Sequence, residues 1–246
     1  MDRTSRPLPP APPALAIVIP VLNEASVVPA LLADLRALAI DTQVVVVDGG
    51  STDGTVAAAR SAGARVIATP AGRGAQLAAG ARACSAPFLC FLHADVRLDA
   101  DACRTLERLV ARATVEGGEA YAFSLAIDAT GWPYRVIEWG ANRRSRWMRL
   151  PYGDQGLALT RALYERVGGF ADVPIMEDVA MVRALGRVAA VRTLPARVTV
   201  SARRWQRQGM LRRTLLNWTL LLGYSMGVSP YRLAQWYRVE RAPTVR

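Results

Sequence analysis

The sequence predicts a mixed α/β domain, built on a mainly parallel sheet flanked by helices and followed by a basic helical tail; three observations predict it. In the first hundred residues, four short apolar runs alternate with Ala/Leu-rich stretches of helical spacing. Past about residue 115 this rhythm gives way to longer, less regular segments. The third observation is charge: residues 201–246 carry nine arginines against one acid, Glu240, whereas residues 1–200 hold 22 arginines against 19 acids. The basicity belongs to the tail, and such a local excess points to an anionic partner.

The apolar runs are Leu15–Ile19, Gln43–Val47, Arg65–Ala68 and Phe88–Leu92. Each is too short for a helix, and the Val/Ile-rich ones suit strands buried on both faces. Helical stretches near 24–38, 53–62 and 74–84 separate them, with polar caps such as Ser51 and Asp53. Strands alternating with helices make a parallel, doubly wound sheet. In the second half Tyr121–Asp128 alternates like a strand with one wet face, and Trp132–Arg149 reads as a helix. Gly156–Thr160 is short and extended, Glu177–Arg187 is helical, and Val191–Leu194 with Arg197–Ser201 reads as a late strand pair around Pro195. All six tryptophans (132, 139, 147, 205, 218, 236) fall in this half. The division is therefore a frayed extension at 1–14, a folded domain at 15–200 (a regular half at 15–115 and an irregular half at 116–200) and a basic amphipathic tail at 201–246.

Composition narrows the class. With 246 residues and 52% hydrophobic content the chain folds around a substantial core. Cys84, Cys90 and Cys103 lack metal-site spacing and read as small apolar core residues of a reducing compartment. The stretch Thr214–Val228 is interrupted by Asn217, Thr219, Gly223 and Ser225, and falls short of the roughly 20 apolar residues a spanning helix needs. The expectation is a cytoplasmic protein, peripheral on an anionic membrane face through the tail or joined there to a second copy, with no nucleic-acid partner.

Ligands of open α/β sheets sit outside the carboxyl ends of the strands. Pro20-Val-Leu-Asn23-Glu24 follows the first run, and Asp48-Gly-Gly-Ser51-Thr52-Asp53-Gly54 the second. Gly72-Arg73-Gly74 follows the third and His93-Ala94-Asp95 the fourth. Four successive strands thus deliver polar groups to one edge. The types suit a nucleoside diphosphate: Glu24 and Asp48 to accept from base and ribose, Arg73 to reach base or phosphate, and Asp95 to hold a divalent metal. Plainer roles stand beside these. Asp53 also reads as an N-cap, His93 reads best as a structural hydrogen-bonder, and Glu177-Asp178 reads as first-turn carboxylates favoured by the helix dipole. Asp154 and Gln155 fit either a turn or an acceptor pocket. Arg143-Arg144-Ser-Arg146 fits a solvated helix face, or a patch for a phosphorylated acceptor.

The stretches IVIPVLNE (17–24), VVVVDGGSTDGT (44–55), GRGAQLAAGA (72–81), FLHAD (91–95) and MEDVAMVRAL (176–185) resemble the family-2 glycosyltransferases of the GT-A fold. YGDQG (152–156) and LYERVGGF (163–170) resemble, more narrowly, a bacterial subgroup labelled selenium- or arsenosugar-associated. The resemblance implies a nucleotide pocket of Pro20, Asn23, Glu24, Asp48, Asp53, Arg73 and Ala94, with Asp95 as ligand to Mg²⁺ or Mn²⁺. It makes Asp178 the base, with Glu177 beside it, and puts Tyr152, Asp154, Gln155, Arg204 and Trp205 on the acceptor side. The implied reaction is inverting transfer from a nucleotide sugar, a UDP-sugar favoured, to a small or lipid-linked acceptor. Two departures stand out: the usual Asp-x-Asp is His93-Ala94-Asp95, and the Gln-x-x-Arg-Trp signature of processive members appears as Ala-Arg-Arg204-Trp205 without the Gln. Single-sugar transfer follows. A nucleotidyltransferase is disfavoured because the loop after the first strand carries no cation. A membrane-binding module with a decayed site is disfavoured because Glu24, Asp48, Asp95 and Asp178 are all present.

Overall fold

The computed structural model describes residues 12–113 and 118–241; residues 1–11 of the expected extension lie outside them. The elements in chain order are β1 (Leu15–Val21), α1 (Val28–Leu35), β2 (Thr42–Asp48), α2 (Thr55–Ser61), β3 (Arg65–Ala68), α3 (Arg73–Arg82), β4 (Phe88–Phe91), β5 (Val96–Leu98) and α4 (Ala100–Arg112). There follow β6 (Glu119–Asp128), α5 (Trp132–Met148), a 3-10 turn (Gly153–Gln155), β7 (Leu157–Thr160), α6 (Arg161–Arg166), α7 (Glu177–Leu185) and β8 (Ala190–Ser201). The tail forms α8 (Arg203–Gln208), α9 (Met210–Ser225) and α10 (Pro230–Arg241).

The strands form one mixed sheet in the order β3-β2-β1-β4-β7-β6-β8-β5. The first four are mutually parallel, β7 runs antiparallel to both neighbours, and β5 antiparallel to β8. Alternate residues of β1 feed two cores: Leu15, Ile17 and Ile19 pack under α1 and α4, Ala16 and Val18 against α3 and α7. Every residue of β1 and β4 is buried, as a central parallel strand requires, whereas the edge strand β3 is half open. All three cysteines are free and buried; burial, with Cys103 nearby, pushes the Cys90 thiol up to about 12.

Two segments depart from the sequence reading. The late strand pair is one continuous strand, β8, whose register against β6 shifts between Ala122 and Ser124. Pro195 sits in that irregularity, where its missing N–H leaves no ladder bond unmade. Residues 96–112, unassigned from sequence, form β5 and α4, the helix capped by Asp99, whose carboxylate accepts from the Ala102 N–H at 2.8 Å.

β6 pairs with β7 only at Ala120 and Tyr121. Beyond that point side chains of α5 and the 3-10 turn replace the missing neighbour. Gln155 Nε2 donates to the Phe123 carbonyl (2.9 Å), and Asn142 both accepts from and donates to the Leu125 backbone (2.7 and 3.0 Å). Glu138 accepts from the Ile127 N–H (2.6 Å), and Arg135 donates to the Ile127 carbonyl (3.0 Å). This side-chain ladder answers every second residue of an otherwise open strand edge. The sheet also curls, because Arg97 of β5, last in the strand order, pairs with Asp34 of α1 at 2.6 Å. The curl brings the root of the tail back toward the loop after β1.

Candidate active site

The loops after β1 and β2 are knitted together. Asn23, in the left-handed region at φ 56°, donates its N–H to Ser51 Oγ (2.9 Å), and its Oδ1 accepts from the Thr52 N–H (2.9 Å). Asn tolerates this conformation better than bulkier residues do. Asp48, 6% exposed, accepts from the Gly50 and Ser51 N–H groups at 3.1 Å. A carboxylate offers about four lone-pair directions, so capacity remains for a ligand. Asp53 accepts from the Ala25 N–H (3.1 Å), the Thr55 N–H (3.0 Å) and the Thr55 hydroxyl. The Thr55 hydroxyl, with the backbone bonds, holds its carboxyl below the usual range. Asp53 is not the N-cap of α2, which is Gly54; its carboxylate clamps one loop on the other from the residue before the cap.

Glu24 lies part-buried, its N–H on Thr55 Oγ1 (2.8 Å) and its carboxylate paired with Arg203 of α8 at 2.7 Å. Arg203 also reaches Ser26 Oγ (3.1 Å). The tail thus supplies the cation that the loop itself lacks, and that cation is engaged with Glu24. Gln76 of α3 is buried and donates to the carbonyls of Val21 (2.9 Å) and Val47 (2.8 Å), fixing α3 over the ends of β1 and β2. Neither Arg203 nor Gln76 was predicted: one is remote in sequence, and the other reads as an ordinary polar helix residue.

At the other end of the cleft, Arg73 opens α3 and pairs with Glu177 at 3.3 Å. Gly74 does not serve approach to a ligand; a Cβ there would stand 2.1 Å from the Ala171 carbonyl, so it lets α3 close on the loop before α7. Glu177 is 2% exposed; burial pushes its carboxyl up, Arg73 pulls it back, and the charge of Asp178 adds to the rise. Met176 precedes it at φ 66°, an unfavourable conformation for a side-chain-bearing residue. Asp178 Oδ2 accepts from the Gly153 N–H (2.8 Å) and Oδ1 from the Val179 N–H (2.7 Å). A Cβ on Gly153 would stand 2.6 Å from His93 Nε2, so the 3-10 turn, His93 and Asp178 close on one another with no room for a side chain. His93, Gly153, Glu177 and Asp178 line a small pocket with Leu77, Phe91 and Phe170.

The remaining predicted residues separate. Pro20 is the next-to-last residue of β1, paired with Val47, and Ala94 and Asp95 are buried after β4. Tyr152 lies under the Arg144 guanidinium at 3.5 Å, and Asp154 is half-buried on the same turn. Gln155 does not face an acceptor: it is fully buried, its amide engaged by Ser145 and the Phe123 carbonyl. Trp205 packs on the core beneath β8 with Arg213 5.9 Å from its ring, which roots the tail; the Arg204 side chain lies outside the described residues. Among the described residues no three His, Cys, Asp or Glu side chains cluster to cage a metal. Asp95 alone fits a hard cation that arrives with a diphosphate, since Mg²⁺ is commonly held by one or two carboxylates plus phosphate oxygens.

Loops converge on the carboxyl edge of the sheet, where open α/β proteins take their ligands, with a carboxylate-lined pocket beside them. The chain belongs to glycosyl transferase family 2, whose profile matches residues 16–171. It is 37% identical over 140 residues to uncharacterized glycosyltransferases of Mycobacterium bovis and Mycobacterium tuberculosis, the match covering 54% of this chain and 62% of theirs. The fold is that of a Pyrobaculum calidifontis mannosyltransferase solved with GDP-Man and Mn²⁺ (TM-score 0.59, 21% identity, 85% of this chain and 66% of that one). It is likewise that of Mycobacterium tuberculosis glucosyl-3-phosphoglycerate synthase solved with Mn²⁺ and UDP-glucose (TM-score 0.55, 20% identity, 76% and 69%).

Proposed function

We propose that the chain is an inverting, non-processive glycosyltransferase that moves one sugar from a nucleotide-sugar donor to an acceptor hydroxyl. The observation that carries this reading is Asp178, half-buried and held by the Gly153 N–H beside the Glu177–Arg73 pair, at the N-terminus of α7, while Arg73 begins the same helix α3 whose Gln76 fixes the ends of β1 and β2 that carry Asn23, Glu24 and Asp48. The backbone bond from Gly153 orients the Asp178 carboxylate, which takes the acceptor proton as the hydroxyl attacks the anomeric carbon. Glu177 holds Arg73 where negative charge develops on the leaving diphosphate. Mg²⁺ or Mn²⁺ on Asp95, when bound, supplies further charge neutralisation there. The nucleotide-sugar ligands of the similar structures support the donor class, with UDP favoured. The likeness of residues 152–156 and 163–170 to the selenium- or arsenosugar-associated subgroup supports membership there and leaves the acceptor open.

The tail adds location. Among the described residues no helix is long and apolar enough to cross a membrane. α9 buries Leu220 and Leu221 and leaves Leu215, Trp218, Leu222 and Met226 exposed at helical spacing. With Arg212 and Arg213 nearby, that row supports peripheral attachment to an anionic bilayer or pairing with a second copy.

A thermal-shift panel of UDP-, GDP-, CDP- and dTDP-sugars with and without Mn²⁺ tests the reading. One base raises the melting temperature, since ligand at 100 times its Kd adds roughly 2.7 kcal/mol of stability. No shift with any nucleotide overturns it, and a product with the donor's anomeric configuration overturns single displacement.

A further inference from the structure

α5 presents two unlike faces. Inward it points Arg135, Glu138, Asn142 and Ser145, all bonded to β6, to the 3-10 turn or to the helix's own backbone. Outward, at spacings of four, three, four and four residues, it points Trp132, Val136, Trp139, Arg143 and Trp147. These spacings place all five within one narrow arc of a helix of 3.6 residues per turn. The three indoles are 77%, 63% and 71% exposed, and Val136 is 55% exposed. The Arg143 guanidinium lies 3.6 Å from the Trp147 ring centre and 5.2 Å from that of Trp139. Soluble proteins rarely leave three tryptophans in one contiguous row in water.

We infer that this outward row of α5 is a second docking surface, separate from the tail, and that its occupant is an anionic phospholipid surface. Charge selects the occupant. The single acid of α5, Glu138, is turned inward and paired with Arg135 at 3.0 Å, so the row carries Arg143 and no acid, while Arg144 and Arg146 turn to Leu150, Tyr152 and Ser124. Shape agrees: the row is the convex ridge of one helix, which enters a headgroup layer directly, whereas a protein partner would have to supply a groove. Indole rings and arginine stems both favour the interface between water and acyl chains. A two-fold pairing of rows would set Arg143 near its own copy, which disfavours a second chain as occupant. The tail row belongs to a different surface, because Leu221 of α9 packs in the opposite core from Ile137 and Ala141 of α5. From α5 the chain passes through Arg149 to the turn that bonds Asp178, so a bilayer on this row lies at the acceptor end of the cleft.

The test is co-sedimentation of the full chain with phosphatidylcholine vesicles and with vesicles containing phosphatidylglycerol. Wild type is compared with Trp132→Gln/Trp139→Gln/Trp147→Gln, with Arg143→Gln, and with Leu215→Gln/Trp218→Gln/Leu222→Gln. The expected result is binding to anionic vesicles that weakens with salt, a blue shift of tryptophan emission, and at least a tenfold loss of partitioning in the triple-Trp variant at unchanged melting temperature. Arg143→Gln loses the preference for anionic lipid. Failure of wild type to bind, or binding lost only in the tail variant, overturns the inference. A wild-type dimer that the triple-Trp variant converts to monomer, with vesicle binding unchanged, assigns the row to a second copy instead. None of these readouts depends on sugar transfer.

Discussion

The two halves of the sheet are held by different means. From β1 to β4 each strand has backbone neighbours on both sides or closes the edge, and its terminal loops are bonded to one another within a few residues of the strand ends. From β6 onward the sheet leans on side chains: Asn142, Glu138, Arg135 and Gln155 stand in for a strand. The first arrangement is local and repeats a pattern, so its strand-end loops can be written in short motifs. The second depends on single polar residues meeting a strand from a neighbouring helix, and each carries more of the structure than its type reveals.

The largest expected effect sits at the junction of the halves. Asp178→Asn keeps its shape and can still accept from one of the Gly153 and Val179 N–H groups, but loses the basic carboxylate. Turnover falls on the order of 10²–10⁴-fold while donor affinity, read by calorimetry, is retained. Near-normal turnover in this variant, with loss in Glu177→Gln, moves the base to Glu177.

Next is the ladder itself. Asn142→Leu leaves the N–H and carbonyl of Leu125 without their partner, at about 1–3 kcal/mol for each buried group left unsatisfied. The melting temperature drops by several degrees. A variant as stable as wild type, measured by denaturant titration, would mean that water or β7 can close this edge, and the contrast between the halves would disappear.

A smaller effect is expected where the tail meets the nucleotide loop. Arg203→Ala removes the partner that positions Glu24, a part-buried pair expected to be worth up to about 1 kcal/mol. Donor KM rises up to about fivefold with kcat nearly unchanged. A fall in kcat alone would place Arg203 in the reaction step and not in donor binding.

The smallest effect has a sign set by burial. The folded value of Glu177 is raised, so its contribution to stability is present below the ordinary glutamate range and lost as pH rises through the folded value. At neutral pH Glu177→Gln therefore relieves the cost of burying the carboxylate and raises the melting temperature slightly, and the gain shrinks toward pH 4. A destabilised variant at pH 7 would show that the ion pair with Arg73 outweighs the cost of burying the carboxylate.

Much of this molecule was legible in its sequence. The four strand runs, the loops carrying Asn23, Asp48, Asp53 and Asp95, and the helix opening at Glu177 follow from apolar periodicity, turn residues and capping, all decided within a few residues. What the sequence hid was decided across distance. Gln76 is polar yet buried because it meets two strand-end carbonyls, Gln155 left the acceptor side because Phe123 needed a donor, and Pro195 sits inside a strand because a bulge excuses its missing N–H. Arg203 reads as one more charge in a basic tail until the curl of the sheet carries it to Glu24, 179 residues away. Local backbone preference is written in neighbouring residues, whereas the pairing of a lone polar group depends on which remote group the packed chain brings within hydrogen-bonding reach.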